Sequence, residues 1–97
     1  MLEKLKQIEE KYTELENRLQ QPEVYSDPAQ YARVAREQKE LTPLVETYRR
    51  YVRRSADAQE AQSLMNDPEL GEMARMEYEE AKDDCESMQE ELKILLL

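Results

Sequence analysis

The sequence predicts an all-α fold of three antiparallel helices, in which a long helical hairpin carries a shorter N-terminal helix packed on it. Three observations predict this fold. Only one of the 97 residues is glycine, 38% are charged, and good helix formers such as Glu, Leu, Ala and Gln are abundant. Apolar residues recur at alternating steps of three and four, which places them on one face of a helix. Two Asp-Pro pairs supply helix start signals.

The first helix is predicted over about residues 1–21. It should end at Gln21, because Pro22 disfavours a helical conformation in the residue before it. Its apolar stripe consists of Leu5, Ile8, Tyr12, Leu15 and Leu19.

The second helix is predicted over about residues 28–63, with Asp27 as its N-cap, Pro28 at its first position and Gln30 completing a capping box. The connection before it, near residues 22–27, is short, so the first two helices should run antiparallel. The predicted stripe of the second helix is Tyr31, Val34, Gln38, Leu41, Val45, Tyr48, Val52, Ser55, Gln59 and Gln62.

Pro43 lies inside this second helical segment. It either kinks one long helix or starts a new helix that Thr42 would cap. The apolar stripe keeps its register across the proline, and this favours a kink.

The third helix is predicted over about residues 68–96, after the start signal at Asn66-Asp67-Pro68. A hairpin turn at residues 64–67 would place Ala81 near Arg50 and Tyr51. The predicted stripe is Gly71, Ala74, Tyr78, Ala81, Cys85, Met88, Leu92 and Leu95. Together the helices form one domain over residues 1–97. The apolar end at Leu97 suggests the N-terminal fragment of a longer protein.

Charge and cysteine content restrict the class of protein. The net charge of −9 argues against a chain that wraps nucleic acid by charge alone, because neutralising phosphates requires a cationic surface. Residues 28–65 carry five acids and seven bases, whereas residues 66–97 carry eleven acids and three bases. A single cysteine, Cys85, forms no intramolecular disulfide and indicates a reducing, cytoplasmic location. No apolar stretch is long enough to cross a membrane.

Four arginines, Arg49, Arg50, Arg53 and Arg54, alternate with aromatic side chains over residues 48–54. This pattern resembles a nucleic-acid contact. The predicted hairpin, however, places these arginines opposite residues 77–82, where several glutamates lie. Cross-helix ion pairs are therefore the first expectation, and a contact with a binding partner is the second.

Val24 and Tyr25 are apolar residues in an otherwise polar connection. They are expected to form a hydrophobic staple under the second helix, and an exposed contact with a partner is the alternative.

No residue pattern indicates catalysis, a metal site or a cofactor site. Asp83, Asp84 and Glu86 lack the spacing and the glycine of a calcium loop and should form a solvated acidic face. Cys85 has no histidine to activate it, because the chain contains none. An enzyme is therefore not expected.

The sequence resembles the N-terminal helical domain of bacterial class I peptide chain release factors, of the release factor 1 type, over essentially its whole length. The resemblance rests on the order and spacing of five segments: residues 15–19 (LENRL), 26–28 (SDP), 48–51 (YRRY), 66–74 (NDPELGEMA) and 91–97 (ELKILLL).

The resemblance implies a role in translation termination at stop codons. The family hydrolyses peptidyl-tRNA with a Gly-Gly-Gln loop and reads codons with a Pro-Xaa-Thr tripeptide, and this chain contains neither. It therefore implies a non-catalytic domain that docks the factor on the large ribosomal subunit near the stalk base. The candidate contact residues are Arg49, Arg50, Arg53, Arg54, Val24 and Tyr25.

The partners that the resemblance implies are the ribosome, the remaining domains of the parent factor and its accessory GTPase, with the fragment itself a monomer. The alternative function is a free-standing coiled-coil adaptor or a chaperone-like helical hairpin that dimerises through its stripes. A third hypothesis, RNA binding through Arg49–Arg54, predicts a steep dependence of affinity on salt.

Overall fold

Four α-helices and no β-strand make up the computed structural model, which describes all residues 1–97: α1 (Leu2–Arg18), α2 (Pro22–Tyr25), α3 (Pro28–Leu64) and α4 (Gly71–Leu95). The predicted all-α class is confirmed. The N-terminal helix α1 has 17 residues, against 37 in α3 and 25 in α4. The chain divides into two compact units, Met1–Glu46 and Thr47–Leu97, and α3 supplies residues to both.

The first unit has its own hydrophobic core. Leu15 of α1, Val24 of α2 and Val34 of α3 are each no more than 3% exposed and form one cluster, against which Leu19 and Leu41 pack. The remaining residues of the predicted α1 stripe, Leu5, Ile8 and Tyr12, are buried or half-buried. The alternating three- and four-residue spacing of the apolar residues therefore predicted which face of α1 is buried.

Helix α2 is a single turn within the segment expected as a plain connection. Pro22 takes its first position, where a missing N–H costs nothing. The hydroxyl of Ser26 donates to the carbonyl of Pro22. Asp27 then caps α3, because its Oδ1 accepts from the backbone N–H groups of Ala29 and Gln30, both at 3.2 Å. The N-cap prediction is confirmed, but Gln30 does not return the hydrogen bond of a capping box.

Helix α3 continues through Pro43 without a break. In a helix the N–H of residue 43 would bond the carbonyl of Lys39, and proline has no N–H to offer. Thr42 does not cap a new helix. Its Oγ1 instead lies 3.0 Å from the carbonyl oxygen of Gln38, one turn earlier, and 3.2 Å from the hydroxyl of Tyr12 on α1.

In the second unit α4 packs on the C-terminal part of α3. Buried side chains of α4 follow its predicted stripe, ending with Leu92, which is 0% exposed. Only Leu95, at 41%, departs from the stripe. Full burial of a leucine contributes roughly 1.5–3 kcal/mol to stability.

Beyond Tyr48 the predicted stripe of α3 is correct only at Ser55, which is half-buried, and at its start Tyr31 is 42% exposed. Val52 is 47% exposed, and Gln59 and Gln62 are also exposed. The buried and half-buried positions step instead through Thr47, Tyr51, Arg54, Ala58 and Ala61. Apolar spacing failed here because the positions that pack on α4 are small or polar, so they do not stand out from their neighbours.

A turn at residues 65–70 joins α3 to α4, and α4 begins three residues later than predicted. Asp67 Oδ1 accepts from the backbone N–H groups of Glu69 and Leu70, each at 2.8 Å. These two bonds lower the pKa of the Asp67 carboxyl, Leu70 contributing more than Glu69. Gly71 then sits against the end of α3, where a Cβ would lie 2.6 Å from the carbonyl oxygen of Met65.

No helix of the chain is both long enough and apolar enough to cross a membrane.

Candidate interaction site

Arg54 is the most fully engaged of the four arginines. Its guanidinium contacts three carboxylates: Glu77 at 2.7 Å and Asp84 at 2.8 Å on α4, and Asp57 at 3.0 Å one turn along α3. The predicted cross-helix ion pairing is therefore confirmed for this residue. With its donors directed to protein carboxylates and its side chain 22% exposed, Arg54 is poorly placed to bind a phosphate group.

Hydrogen bonds to Glu77, Asp84 and Asp57, in that order of importance, raise the pKa of Arg54 above its ordinary value. The guanidinium is therefore charged at neutral pH and well above it. Its positive charge offsets the negative charges of Asp57, Glu77 and Asp84, which lie on the two helices of the pair.

Arg50 also pairs across the hairpin, with its Nη2 lying 3.4 Å from Glu91 Oε2. Next to it, the Gln89 side-chain amide donates to the hydroxyl of Tyr51 at 3.1 Å. The residues that Arg50 and Tyr51 contact therefore lie beyond Ala81, the residue of α4 expected near them. The turn occupies residues 65–70 instead of 64–67. Arg54, in contrast, contacts Glu77, which lies within the predicted range of 77–82.

Arg53 is exposed and forms no ion pair within the chain. Its surroundings are nevertheless not cationic. Arg50, Arg53 and Arg54 line an open depression of about 650 Å³ together with the carboxylates of Asp57, Asp84 and Glu91. The arginine run therefore does not form the continuous basic surface that its sequence suggests, and a contact role for Arg49 and Arg53 stays a prediction.

Val24 and Tyr25 have different environments. Val24 is 2% exposed in the core of the first unit, so its side chain is not available to a partner and its place among the candidate contacts is corrected. The reason is that α2 turns Val24 toward Leu15 and Val34. Tyr25 is 56% exposed and remains a candidate contact.

Chemically reactive groups are few. Cys85 is half-buried, and burial raises the pKa of its thiol, an effect that the nearby Arg54 charge partly opposes. A thiol of that kind is a poor nucleophile at neutral pH. No three histidine, cysteine, aspartate or glutamate side chains converge on a point where they could hold a metal ion.

Sequence reasoning missed a second depression, at the turn between α3 and α4. It measures about 460 Å³, and its lining combines apolar residues from both helices and the turn with three carboxylates. The available signal was the pair of leucines, Leu64 and Leu70, on either side of Asn66-Asp67-Pro68. Such isolated leucines are common on protein surfaces and did not indicate a site by themselves.

Most of the chain is similar to a known domain family. The profile of the PCRF domain matches residues 8–97. The chain belongs to the PCRF domain family. This PCRF chain is 39% identical over 97 residues to peptide chain release factor 1 of Geobacter sulfurreducens. It is also 40% identical over 99 residues to the protein of the same name from Maridesulfovibrio salexigens.

A third relative, peptide chain release factor 1 of Bacillus licheniformis, is 36% identical over 100 residues. All three matches include 100% of the PCRF chain but only 27–28% of the relative's length. The resemblance to the N-terminal domain of release factor 1 is therefore confirmed. No solved structure matches the PCRF chain significantly.

Proposed function

We propose that the chain is the non-catalytic N-terminal domain of a peptide chain release factor that acts in translation termination at stop codons in the cytoplasm. The observation that carries the proposal is the family match over residues 8–97, together with whole-chain similarity to release factor 1 proteins. Because the chain spans 27% of the first relative's length, we further propose that its 97 residues form one domain of a longer polypeptide.

A role in binding instead of chemistry is supported by the side chains available. The chain has no histidine, its single thiol has a raised pKa, and its single glycine rules out a Gly-Gly-Gln motif within these 97 residues. Catalysis of ester hydrolysis needs an activated nucleophile or a positioned water, and such groups are found together in a cleft. We therefore assign peptide release to the remaining domains of the factor.

We further propose that the domain docks on the large ribosomal subunit near the stalk base and also contacts the accessory GTPase. Tyr25 and Arg53 are the candidate contacts whose side chains are exposed and form no ion pair. An aromatic ring and an unpaired guanidinium are both suited to RNA, through stacking and phosphate contact respectively.

A kinetic experiment tests whether residues 1–97 contribute to ribosome binding and not to the chemistry of peptide release. Peptide release from ribosomes stalled at a stop codon is measured against factor concentration, for the full-length factor and for a version without residues 1–97. We expect the truncated factor to need a higher concentration for half-maximal release, while its rate at saturation stays near that of the full-length factor. The 97-residue chain alone should release no peptide. Unchanged release at every concentration, or release by the chain alone, would contradict the proposal.

Directed cleavage tests the location on the ribosome. In a Cys85→Ser background, an iron chelate is attached at Tyr25→Cys or, as a matched exposed control, at Asp83→Cys. Hydroxyl radicals from Tyr25→Cys should cut the ribosomal RNA of the stalk base more strongly than those from Asp83→Cys. Equal cutting from both positions, or cutting confined to the small subunit, would count against this docking site.

A further inference from the structure

Large apolar side chains are concentrated on the surface around the turn between α3 and α4. Leu70 is 48% exposed, Met73 is 72% exposed and Met76 is 69% exposed, and Leu64 at the end of α3 is 36% exposed. Single exposed apolar residues are ordinary, but a group of them that shares one surface marks an interaction site. Neither the arginine run nor the candidate contact Tyr25 belongs to this group.

Three of these residues form a groove. Leu64, Leu70 and Met73 line the depression of about 460 Å³ at the turn, and the nearly buried Ala61 and Ala74 also line it. We call this depression the turn groove. Small residues in the floor and long, flexible ones in the walls leave room for a partner's apolar side chains, and the methionine wall adapts its shape to them.

The charge around the turn groove is strongly negative. Residues 57–80 contain eight acids and one base. Asp57 and Glu77 line the groove but pair with Arg54, whereas Glu60, the third carboxylate of the lining, forms no ion pair. This field repels nucleic acid and anionic lipid, and it attracts a cationic partner.

We propose that the turn groove is a docking site for a basic amphipathic helix of a partner protein. Apolar residues on one face of that helix would enter the groove between α3 and α4, as in other helix-in-groove contacts. Lysine and arginine on its flanks would face Glu60 and the neighbouring acids. The turn groove adjoins the arginine run only at Asp57 and Glu77, which pair with Arg54. The proposal holds whether or not the chain docks on the ribosome through Tyr25.

The test uses the 97-residue chain and a designed peptide. The peptide is a helix of about 15 residues made of Lys, Leu and Ala, long enough for helix formation in water to become favourable. Its leucines lie on one face. One control peptide carries Glu in place of every Lys, and a second has the same composition with the leucines scattered around the helix. Binding is followed by fluorescence anisotropy, and the contact is located by amide chemical-shift changes.

We expect saturable binding of the Lys-Leu peptide, with shift changes centred on residues 61–74. The Leu70→Ser and Met73→Ser variants should each bind about tenfold more weakly, as expected for losing one buried apolar contact. Ile94→Ser is the matched control, because Ile94 lies on the same helix and is 68% exposed but does not line the groove. Glu60→Gln should weaken binding, and Glu86→Gln, at an exposed and unpaired position of α4, should not.

Three results would overturn the proposal. The first is a Lys-Leu peptide that binds the Leu70→Ser and Met73→Ser variants as tightly as the original chain. The second is equal binding of the peptide with scattered leucines, which would indicate attraction by charge alone. The third is loss of binding in the full-length polypeptide that contains the chain, which would show that another segment of that polypeptide fills the groove.

Discussion

Arg54 of α3 and Glu77 of α4 are joined by a contact of 2.7 Å between Nη1 and Oε1, which ties the two helices of the second unit together. The same guanidinium also contacts Asp84 and Asp57. The single positive charge of Arg54 therefore neutralises part of the charge of three carboxylates, in a region of the chain where acids greatly outnumber bases. Removing it would leave Glu77, Asp84 and Asp57 close together without a counter-charge.

We predict that Arg54→Gln lowers the thermal unfolding temperature and that Arg54→Lys has a smaller effect in the same direction. Lysine keeps the charge but cannot make the forked contacts of a guanidinium. The difference from the original chain should shrink at 1 M salt, where the Debye length falls to about 3 Å. Thermal unfolding followed by circular dichroism at low and high salt measures these changes in unfolding temperature. Arg53→Gln is the control, and an equal effect at position 53 would refute the role given to Arg54.

Gly71→Ala is predicted to destabilise the chain by about 1–3 kcal/mol, the range for inserting a methyl group into filled space. The added Cβ would lie 2.6 Å from the carbonyl oxygen of Met65, and that atom belongs to the backbone and has little freedom to move. Urea unfolding gives the free energy. Glu79→Ala, on the exposed face of α4, controls for alanine substitution. If Gly71→Ala instead stabilised the chain, the backbone at Met65 would have to move away from the added methyl group at little energetic cost.

Leu92→Ala should cost about 2–5 kcal/mol, because it empties a fully buried site. Ile94→Ala, two residues further along α4, removes a side chain that is 68% exposed and should cost little. Urea unfolding gives the free energy of unfolding of both variants, so the effect of removing a buried side chain is compared with that of removing an exposed one on the same helix. Similar losses at the two positions would show that the burial of Leu92 does not stabilise the folded chain.

Asp67 is predicted to make stability depend on pH in the acid range. Its folded pKa is lowered from the ordinary value of 3.8, so the carboxylate stabilises the fold at pH values above 3.8. That contribution is lost as the pH falls below 3.8 and through the folded pKa. Asp67→Asn should therefore reduce the fall in stability over this range, as measured by unfolding at a series of pH values. Asp83→Asn, an exposed carboxylate in α4, should leave the profile unchanged.

Cys85 is predicted to react slowly with thiol reagents. Burial raises the pKa of its thiol above the ordinary 9.0, so less thiolate is present at neutral pH. The reaction rate with an aromatic disulfide, followed against pH, should reach half its maximum above pH 9.0 in the folded chain. Unfolding in urea should move the midpoint down, and an identical midpoint in both states would contradict the burial effect.

The candidate contacts show how far sequence reasoning reaches at a site. The ion pairing of Arg54 was predicted from the hairpin, which places Arg49–Arg54 opposite the glutamates of residues 77–82. Its partner Glu77 lies within that predicted range, whereas Asp84 lies just beyond it and Asp57 lies on α3 itself. Val24 and Tyr25 are neighbours in the chain, yet one is 2% and the other 56% exposed. Only the direction in which α2 turns distinguishes them.

The sequence by itself determined the helical class, the stripe of α1 and the N-cap of α3 at Asp27, because helix propensity, spacing and capping act over a few neighbouring residues. Tertiary structure decided which residues of α3 pack on α4, and that Arg50 pairs with Glu91. The physical reason lies in the turn at residues 65–70, whose length sets the pairing of every later position. Small and polar residues such as Thr47 and Ala58 are then well packed only because the turn fixes the register between α3 and α4.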